Sequence, residues 1–387
     1  MKKICFVTGS RAEYGLLKPL MSLFKNDKSF KLQVIVTGMH LSGLYGSTYK
    51  VVEQDFHVDR KVYMPLEDDS ASGITKAMGK ALEGFADALK SLKPDLMVVL
   101  GDRYEILAAA QAALIYGVPL AHLHGGELTF GAVDDAIRHA ITKMSYLHFT
   151  STEVYRRRVI QMGENPQRVF NVGAVGIDNI RDMKLLSKHE LEKELNFKFG
   201  NKNIVITFHP VTAELNTEKK TFSALLKAIS ELKDTRIIFT YPNSDPNNRI
   251  IIKQIDDFVK NSAGKAGAFK SLGQLRYLSA LKYADAVAGN SSSGIIEAPS
   301  FGIPTLNIGS RQAGRERAKS VIDCANDFSS IKKALQKALS SKFKESCKKY
   351  GNPYEAKGSA SRKIYSLIKT NINSLKTSKI FYDMRPK

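Results

Sequence analysis

Short apolar runs rich in β-branched residues recur along this chain, each closed by a turn and followed by a longer amphipathic stretch. The runs are Ile4–Thr8, Leu32–Thr37, Leu96–Leu100, Leu120–His124, Leu147–Thr150 and Val169–Val172. Between them, Leu16–Phe24, Ile74–Leu92 and Ile106–Tyr116 carry apolar residues three and four apart, the spacing of helices that cover a sheet. Strand and helix alternating in this way predict parallel strands joined by helical crossovers. After a polar helical segment, Leu185–Leu195, the pattern restarts with strands Asn203–Phe208, Arg236–Tyr241, Ala286–Ala288 and Thr305–Asn307. Helices Phe222–Leu232, Arg249–Ser262, Leu275–Tyr283, Gly294–Pro299, Ile331–Leu339 and Ser361–Thr370 fall between or after them. A chain of 387 residues exceeds what one hydrophobic core usually serves. The reading is therefore α/β, with a doubly wound domain over 1–173, a second over 174–365, and a C-terminal segment, 366–387, returning towards the first. Ligands of such sheets bind at the carboxyl ends of the strands, and two such domains facing each other would make a cleft there.

Composition narrows the function. No run of about 18 apolar residues occurs, and the apolar stretch Ile4–Val7 is too short for a signal peptide, so a cytoplasmic protein without a membrane partner is expected. The three cysteines, Cys5, Cys324 and Cys347, lack C-x-x-C spacing and read as idle thiols rather than a disulfide framework or zinc site. With 58 Lys+Arg against 38 Asp+Glu the net charge is +20, which would suit a nucleic-acid binder, a membrane surface or an anionic substrate. The lysines are spread along the chain without interleaved aromatics, so a solvated helix surface is the better reading and no nucleic-acid partner is expected.

Several polar clusters fall at predicted strand ends. Gly289-Asn290-Ser291-Ser292-Ser293-Gly294 leads into a helix, whose free N–H groups and hydroxyls can hold a diphosphate; one N-cap needs one serine, and here there are three. Glu297, a turn later, could accept from a ribose diol. Arg311 after the next strand could pair with phosphate oxygens, as could Arg11 in the Gly9-Ser10-Arg11 turn, and either could equally be a surface arginine. G-x-G-x-x-G is absent from Gly9 onward, so no hydride-transfer cofactor is expected. Asp102, Glu127 and Asp134 from the first domain and His209 from the second are acid–base candidates, with helix caps and an Asp134–Arg138 intrahelical pair as the plain alternatives. His122, His124 and Glu127 do not make a convincing metal set: the two histidines would share a strand face while Glu127 lies beyond a flexible turn.

Taken together these stretches resemble the UDP-N-acetylglucosamine 2-epimerase family, and within it the hydrolysing branch. The residues that carry the resemblance are Val7–Gly15, Val36–His40, Gly101–Glu105, His124–Glu127, Ile137–His139, Phe208–Pro210, Gly289–Ser292 and Gly309–Gln312. The resemblance implies a GT-B architecture of two Rossmann-like domains, with UDP held chiefly by the C-terminal one. It assigns Arg11, Ser291, Ser292 and Arg311 to the diphosphate, Glu297 to the ribose, and Asn243, Ser271 and Leu272 to the nucleotide's surroundings. Asp102, Glu127 and Asp134 become catalytic carboxylates, with His209 beside them. Arg103 becomes a sugar or phosphate contact, and Arg138 a support for Asp134. The implied reaction converts UDP-N-acetylglucosamine and water to N-acetylmannosamine and UDP without cofactor or metal, by elimination to a 2-acetamidoglucal and hydration. The implied assembly is a homodimer or homotetramer. A sister group acts on UDP-N,N′-diacetylbacillosamine. Glycosyltransferases share the fold, and a noncatalytic nucleic-acid-binding protein would share the charge, but simple binding does not need several acid–base groups at strand ends.

Overall fold

The computed structural model describes all residues except 69, 131–132, 210–214, 243–247, 271 and 385–387. The chain divides into two compact units. Unit 1 comprises Met1–Leu128, Ala132–Asn179 and Ala356–Lys387, and unit 2 comprises Thr129–Gly131 and Ile180–Glu355, so the divisions fall at 179 and 355 rather than 173 and 365.

Unit 1 holds β1 (Lys2–Thr8), β2 (Phe30–Thr37), β3 (Arg60–Val62), β4 (Leu96–Leu100), β5 (Leu120–Leu123), β6 (Leu147–Thr150) and β7 (Val169–Asn171). They form one parallel sheet in the order β3-β2-β1-β4-β5-β6-β7. Its central strands are buried on both faces, which is why they read as continuous apolar runs rather than alternating ones. One face packs on helix Arg11–Asn26 through Leu17, Leu20, Met21 and Phe24. The same layer takes Ile364 and Ile368 of helix Ala360–Asn371. The other face carries helices Ala71–Leu92 and Tyr104–Ile115. The second of these buries Ala108, Ala109, Ala110, Ala112 and Ala113, side chains small enough for close packing.

Helix Ala360–Asn371 belongs to unit 1 because Asp178, only 1% exposed, takes its first N–H groups. Asp178 Oδ1 accepts from Ala360 N (2.8 Å) and Oδ2 from Ser361 N (2.6 Å), a carboxylate at the positive end of a helix. The chain beyond it stays on unit 1. Lys379 Nζ donates to Glu164 Oε2 (2.7 Å) and Ser145 O (2.6 Å), and Tyr382 N donates to Gly163 O (2.9 Å).

Unit 2 holds β8 (Lys202–Thr207), β9 (Thr235–Thr240), β10 (Ala266–Phe269), β11 (Ala286–Gly289), β12 (Thr305–Ile308) and β13 (Val321–Cys324), parallel in the order β10-β9-β8-β11-β12-β13. This is the same winding as unit 1 without its last strand. Three strands that the apolar pattern did not announce, β3, β10 and β13, are all at sheet edges. An edge strand is covered less and needs fewer apolar residues: β3 exposes Arg60 and Lys61, and β13 exposes Asp323. The expected helix Gly294–Pro299 is instead a short α-turn, Ser292–Ile296, followed by a 3₁₀ segment, Ala298–Phe301. Pro299, with no N–H to give, sits where the first helix has already ended. Cys5, Cys324 and Cys347 are free thiols, the first pushed above its usual range by burial.

Candidate functional site

In this winding the strand order reverses between the first and fourth strands of each unit, and the loops leaving those strands flank a crevice. In unit 1 they are the turns after β1 and β4, Gly9-Ser10-Arg11 and Gly101-Asp102-Arg103. In unit 2 they are the turns after β8 and β11, Phe208-His209 and Gly289 to Ser293.

The unit 1 cluster is built around Arg138, which helix Val133–Met144 buries to 2% exposure. Its guanidinium pairs with Asp102 Oδ2, donates to Asp135 Oδ1 at 3.3 Å and donates to Glu127 O at 2.8 Å. Asp102 and the Glu127 turn are thus tied to one cation. The anticipated four-residue pair with Asp134 is replaced by a three-residue pair with Asp135. Asp134 stands near Asp102 with no ion pair of its own among the described residues, and its carboxyl is raised above the usual range by burial first and Asp102 second.

Glu127 follows β5 through a turn that few residues could make. His124 has φ +65° and Gly126 φ +79°. A Cβ on Gly126 would come within 2.6 Å of Tyr155 O, so the backbone passes too close to helix Glu153–Gln161 for any side chain. The carboxylate is 3% exposed, and its Oε1 accepts from His124 Nδ1 (2.8 Å) and Ser151 Oγ (2.7 Å). His124 lies one residue past the end of β5, in the left-handed conformation, and its ring reaches Glu127. His122 lies between Gly101 O (Nε2, 2.8 Å) and Thr142 Oγ1 (Nδ1, 3.1 Å), and burial lowers its pKa to about 3. Among the described residues no cluster fit to hold a metal ion occurs.

A second acidic group lies beside β1, and the sequence did not single it out. Glu13 Oε2 accepts from Gly9 N (2.7 Å) and fixes the turn, while Glu105 Oε1 accepts from Arg103 Nε (2.6 Å). Both acids are buried, and Gly9 lies against Glu105: a Cβ there would be 2.5 Å from Glu105 Oε1. Two carboxylates share one cation, and burial, with Glu105 adding to it, raises Glu13 to about 8. The signal was available: both residues stand in the quoted motifs, four after Gly9 and two after Arg103. Arg11 is exposed at the start of helix Arg11–Asn26, whose N-cap is Ser10.

In unit 2, Asn290 is the organising residue. Its side chain closes a pair of bonds with the His209 backbone, accepting from His209 N (2.7 Å) and donating to His209 O (2.8 Å). Its carbonyl accepts from Arg311 Nη1 (3.1 Å) and Gln312 Nε2 (2.9 Å). His209, Asn290 and Arg311 are therefore brought together. His209 is buried, and its pKa falls to about 3 from burial first and the Arg311 charge second. The three serines divide their work. Ser291 caps the turn by accepting from Ser293 N, Ser293 donates to Glu297 and accepts from Tyr277 OH (2.7 Å), and Ser292 is partly exposed at the first turn position. Glu297 is thus bonded within the unit, its carboxyl raised by burial. Gly289 makes the turn possible: at φ +128°, a Cβ would lie 1.9 Å from Thr207 O. Leu272 points into the core with Leu278 and Leu281, leaving only its backbone for a ligand, and Asn243 and Ser271 lie outside the described residues.

Residues 23–369 match the profile of the family described as UDP-N-acetylglucosamine 2-epimerase. The chain is 43% identical over 344 residues, covering 89% of each protein, to the GDP/UDP-N,N′-diacetylbacillosamine 2-epimerase (hydrolyzing) of Campylobacter jejuni. It is 40% identical over 393 residues, covering 99% of this chain and 98% of the other, to polysialic acid biosynthesis protein P7 of Escherichia coli. In fold it resembles UDP-GlcNAc 2-epimerase from Neisseria meningitidis, solved bound to UDP-GlcNAc, with a TM-score of 0.79 at 19% identity over 95% of this chain and all of that one. The winding of both units, the turns at their switch points and these matches agree: the chain belongs to the UDP-N-acetylglucosamine 2-epimerase family.

Proposed function

We propose that the protein is a hydrolysing 2-epimerase that converts UDP-N-acetylglucosamine and water to N-acetylmannosamine and UDP. One observation carries the reading: the buried Arg138 pairs with Asp102 and holds the Glu127 turn, and Asp134 stands near Asp102 with its carboxyl raised by burial first and that charge second, so several acids are gathered in one place. Inversion at C2 needs this, because a proton must leave one face and another arrive on the opposite face. In the first step a base takes the C2 hydrogen as a proton, that bond's electron pair forms C1=C2, and the C1–O pair leaves with UDP. In the second, water oxygen bonds C1 and a proton is delivered to C2.

The switch-point turns of unit 2 suit the leaving group. Arg311, the Ser292 hydroxyl and the N–H groups after Ser291 supply positive charge and donors for a diphosphate. His209 stays neutral there and donates or accepts without adding charge. Glu297 takes the ribose hydroxyls, and Arg11 and Arg103 serve phosphate or sugar oxygens. The name of the E. coli relative, polysialic acid biosynthesis protein, supports N-acetylmannosamine as product. The Campylobacter relative's name supports a second reading, in which the sugar is UDP-N,N′-diacetylbacillosamine and carries a further acetamido group at C4.

Incubation with either UDP-sugar in deuterated water, followed by NMR of the product, tests both. Release of UDP with deuterium at C2 of the inverted sugar is expected. Release of the uninverted sugar, or no release from either substrate, overturns the reading, and the ratio of kcat/KM for the two substrates decides the sugar.

A further inference from the structure

The Glu127 carboxylate does not end in solvent. Its Oε1 accepts from Ser151 Oγ at 2.7 Å and from His124 Nδ1 at 2.8 Å. An oxygen that accepts twice requires hydrogens on both partners, so His124 carries its proton on Nδ1 and presents the Nε2 lone pair. That Nε2 is buried and has no hydrogen-bond partner among the described residues. The rest of the array is closed. His124 N donates to Phe149 O (2.9 Å), and Arg138 Nη1 donates to the carbonyl of Glu127 (2.8 Å). The backbone at His124 has φ +65°, in the left-handed region that glycine adopts at less cost. The side chain keeps 13% of its surface open against 5% for that of Glu127. His139 and His148 also set one ring nitrogen on a carboxylate and leave the other buried without a partner among the described residues; His124 differs in standing on the turn after β5, whose Glu127 carbonyl accepts from Arg138, the cation paired with Asp102.

We propose that His124 is a proton-transfer residue at C2, and that Glu127, held by Ser151, acts behind it as a positioning residue. The order hydroxyl, carboxylate, imidazole, reacting atom is the arrangement by which a buried acid fixes the tautomer of a catalytic histidine. As acceptor, Nε2 takes the C2 hydrogen as a proton while the electron pair of that bond forms C1=C2 and the C1–O pair departs on UDP. In the hydration step a carboxyl of the Asp102 and Asp134 group delivers a proton to the opposite face of C2 while water oxygen bonds C1, the water's own proton restores that carboxyl, and the proton held on Nε2 passes to solvent. The inference rests on the 2-epimerase reading above and assigns a residue which that reading leaves idle.

The experiment compares His124→Ala and His124→Gln with wild type for turnover of the active UDP-sugar, UDP affinity and rescue by free imidazole. We expect kcat to fall by about 10²- to 10⁴-fold, with KM and UDP affinity kept within about threefold. Added imidazole should restore His124→Ala by at least about tenfold, because it refills the cavity left by the ring. Nitrogen-15 spectra at alkaline pH should show Nδ1 protonated in wild type and the preference weakened in Glu127→Ala. Turnover of the His124 variants within about threefold of wild type, or a loss that imidazole does not restore, overturns the assignment. Failure of wild type itself to release UDP would instead overturn the 2-epimerase reading, so the two failures are distinct.

Discussion

Replacing Glu13 by glutamine should remove a proton-linked instability from unit 1. In the folded protein Glu13 lies at 6% exposure beside the carboxylate of Glu105 at Gly9; among the described residues its Oε1 has no partner and Arg103 is the one cation bonded to the pair. One of the two acids must therefore hold a proton, and Glu13, raised from 4.5 to about 8, is that one. Below pH 4.5 both the folded and unfolded chains carry the proton. Between 4.5 and about 8 the folded chain carries it and the unfolded chain does not. Folding thus binds a proton in that window, so stability is greatest at its acid end and is lost as pH rises towards 8. At about 1.4 kcal/mol per pKa unit the interval sets a ceiling of about 5 kcal/mol; relaxation and water entry bring the expected figure to about 2–3 kcal/mol. Glutamine preserves the shape and the bond from Gly9 N but does not titrate. The chain has no tryptophan, so urea unfolding is followed by far-UV circular dichroism at about pH 5, 6.5 and 8. Glu13→Gln should gain about 2–3 kcal/mol on wild type between the first and last of these. The protonated-carboxyl stretch in the infrared at pH 6.5 should lose the band of one carboxyl in the variant relative to wild type. Parallel stability curves across the window would refute the argument.

Four further outcomes are expected. Asp102→Asn should lower kcat by about 10²- to 10⁴-fold with UDP affinity unchanged by calorimetry, because the proposed mechanism uses the residue at the sugar and not at the nucleotide. Gly289→Ala should cost at least about 3 kcal/mol, since its Cβ would meet Thr207 O at 1.9 Å. Gly101→Ala, at φ +79° with nothing within 4 Å among the described residues, should cost only about 1 kcal/mol, and differential scanning calorimetry separates the two. Lys379→Ala should destabilise unit 1 by about 1–3 kcal/mol, because it strips one cation from Glu164, which is fully buried between Lys143, Lys379 and His148. Glu164 is lowered to about 2, opposed by burial and favoured by His148 and the two lysines, so its contribution is lost only as pH falls from 4.5 through 2.

The central strands were legible because they are buried on both faces and read as unbroken apolar runs: β4 was read to the residue, and β1 and β8 to within two. Edge strands such as Arg60–Val62 carry no such run, since burial on one side asks little of their composition. At the candidate site, the turns at strand ends were visible from their glycines, but pairing was not. Spacing suggested Arg138 with Asp134, whereas the fold gives Arg138 to Asp102, 36 residues away, a contact that helical periodicity does not encode. Glu13 and Glu105 were hidden for the same reason: each looks like a first-turn helix acid, and only the adjacency of β1 and β4 makes them neighbours. The serine cluster holds more serines than one cap needs, but composition does not show how they divide: Ser291 caps the turn and Ser293 bonds Glu297 within the unit.

Helix Ala360–Asn371 completes the same apolar layer as strand Lys2–Thr8, with the whole of residues 180–355 intervening. A ribosome making this protein therefore releases the beginning of unit 1 long before the piece that seals it exists, and the usual order in which the leading domain folds first cannot run to completion. Leu17, Leu20 and Phe24 must wait, uncovered on one flank, until the last thirty or so residues emerge. Nascent chains stalled or cut short before Ala360 should consequently be recognised by chaperones and proteases as unfinished, however well unit 2 has formed.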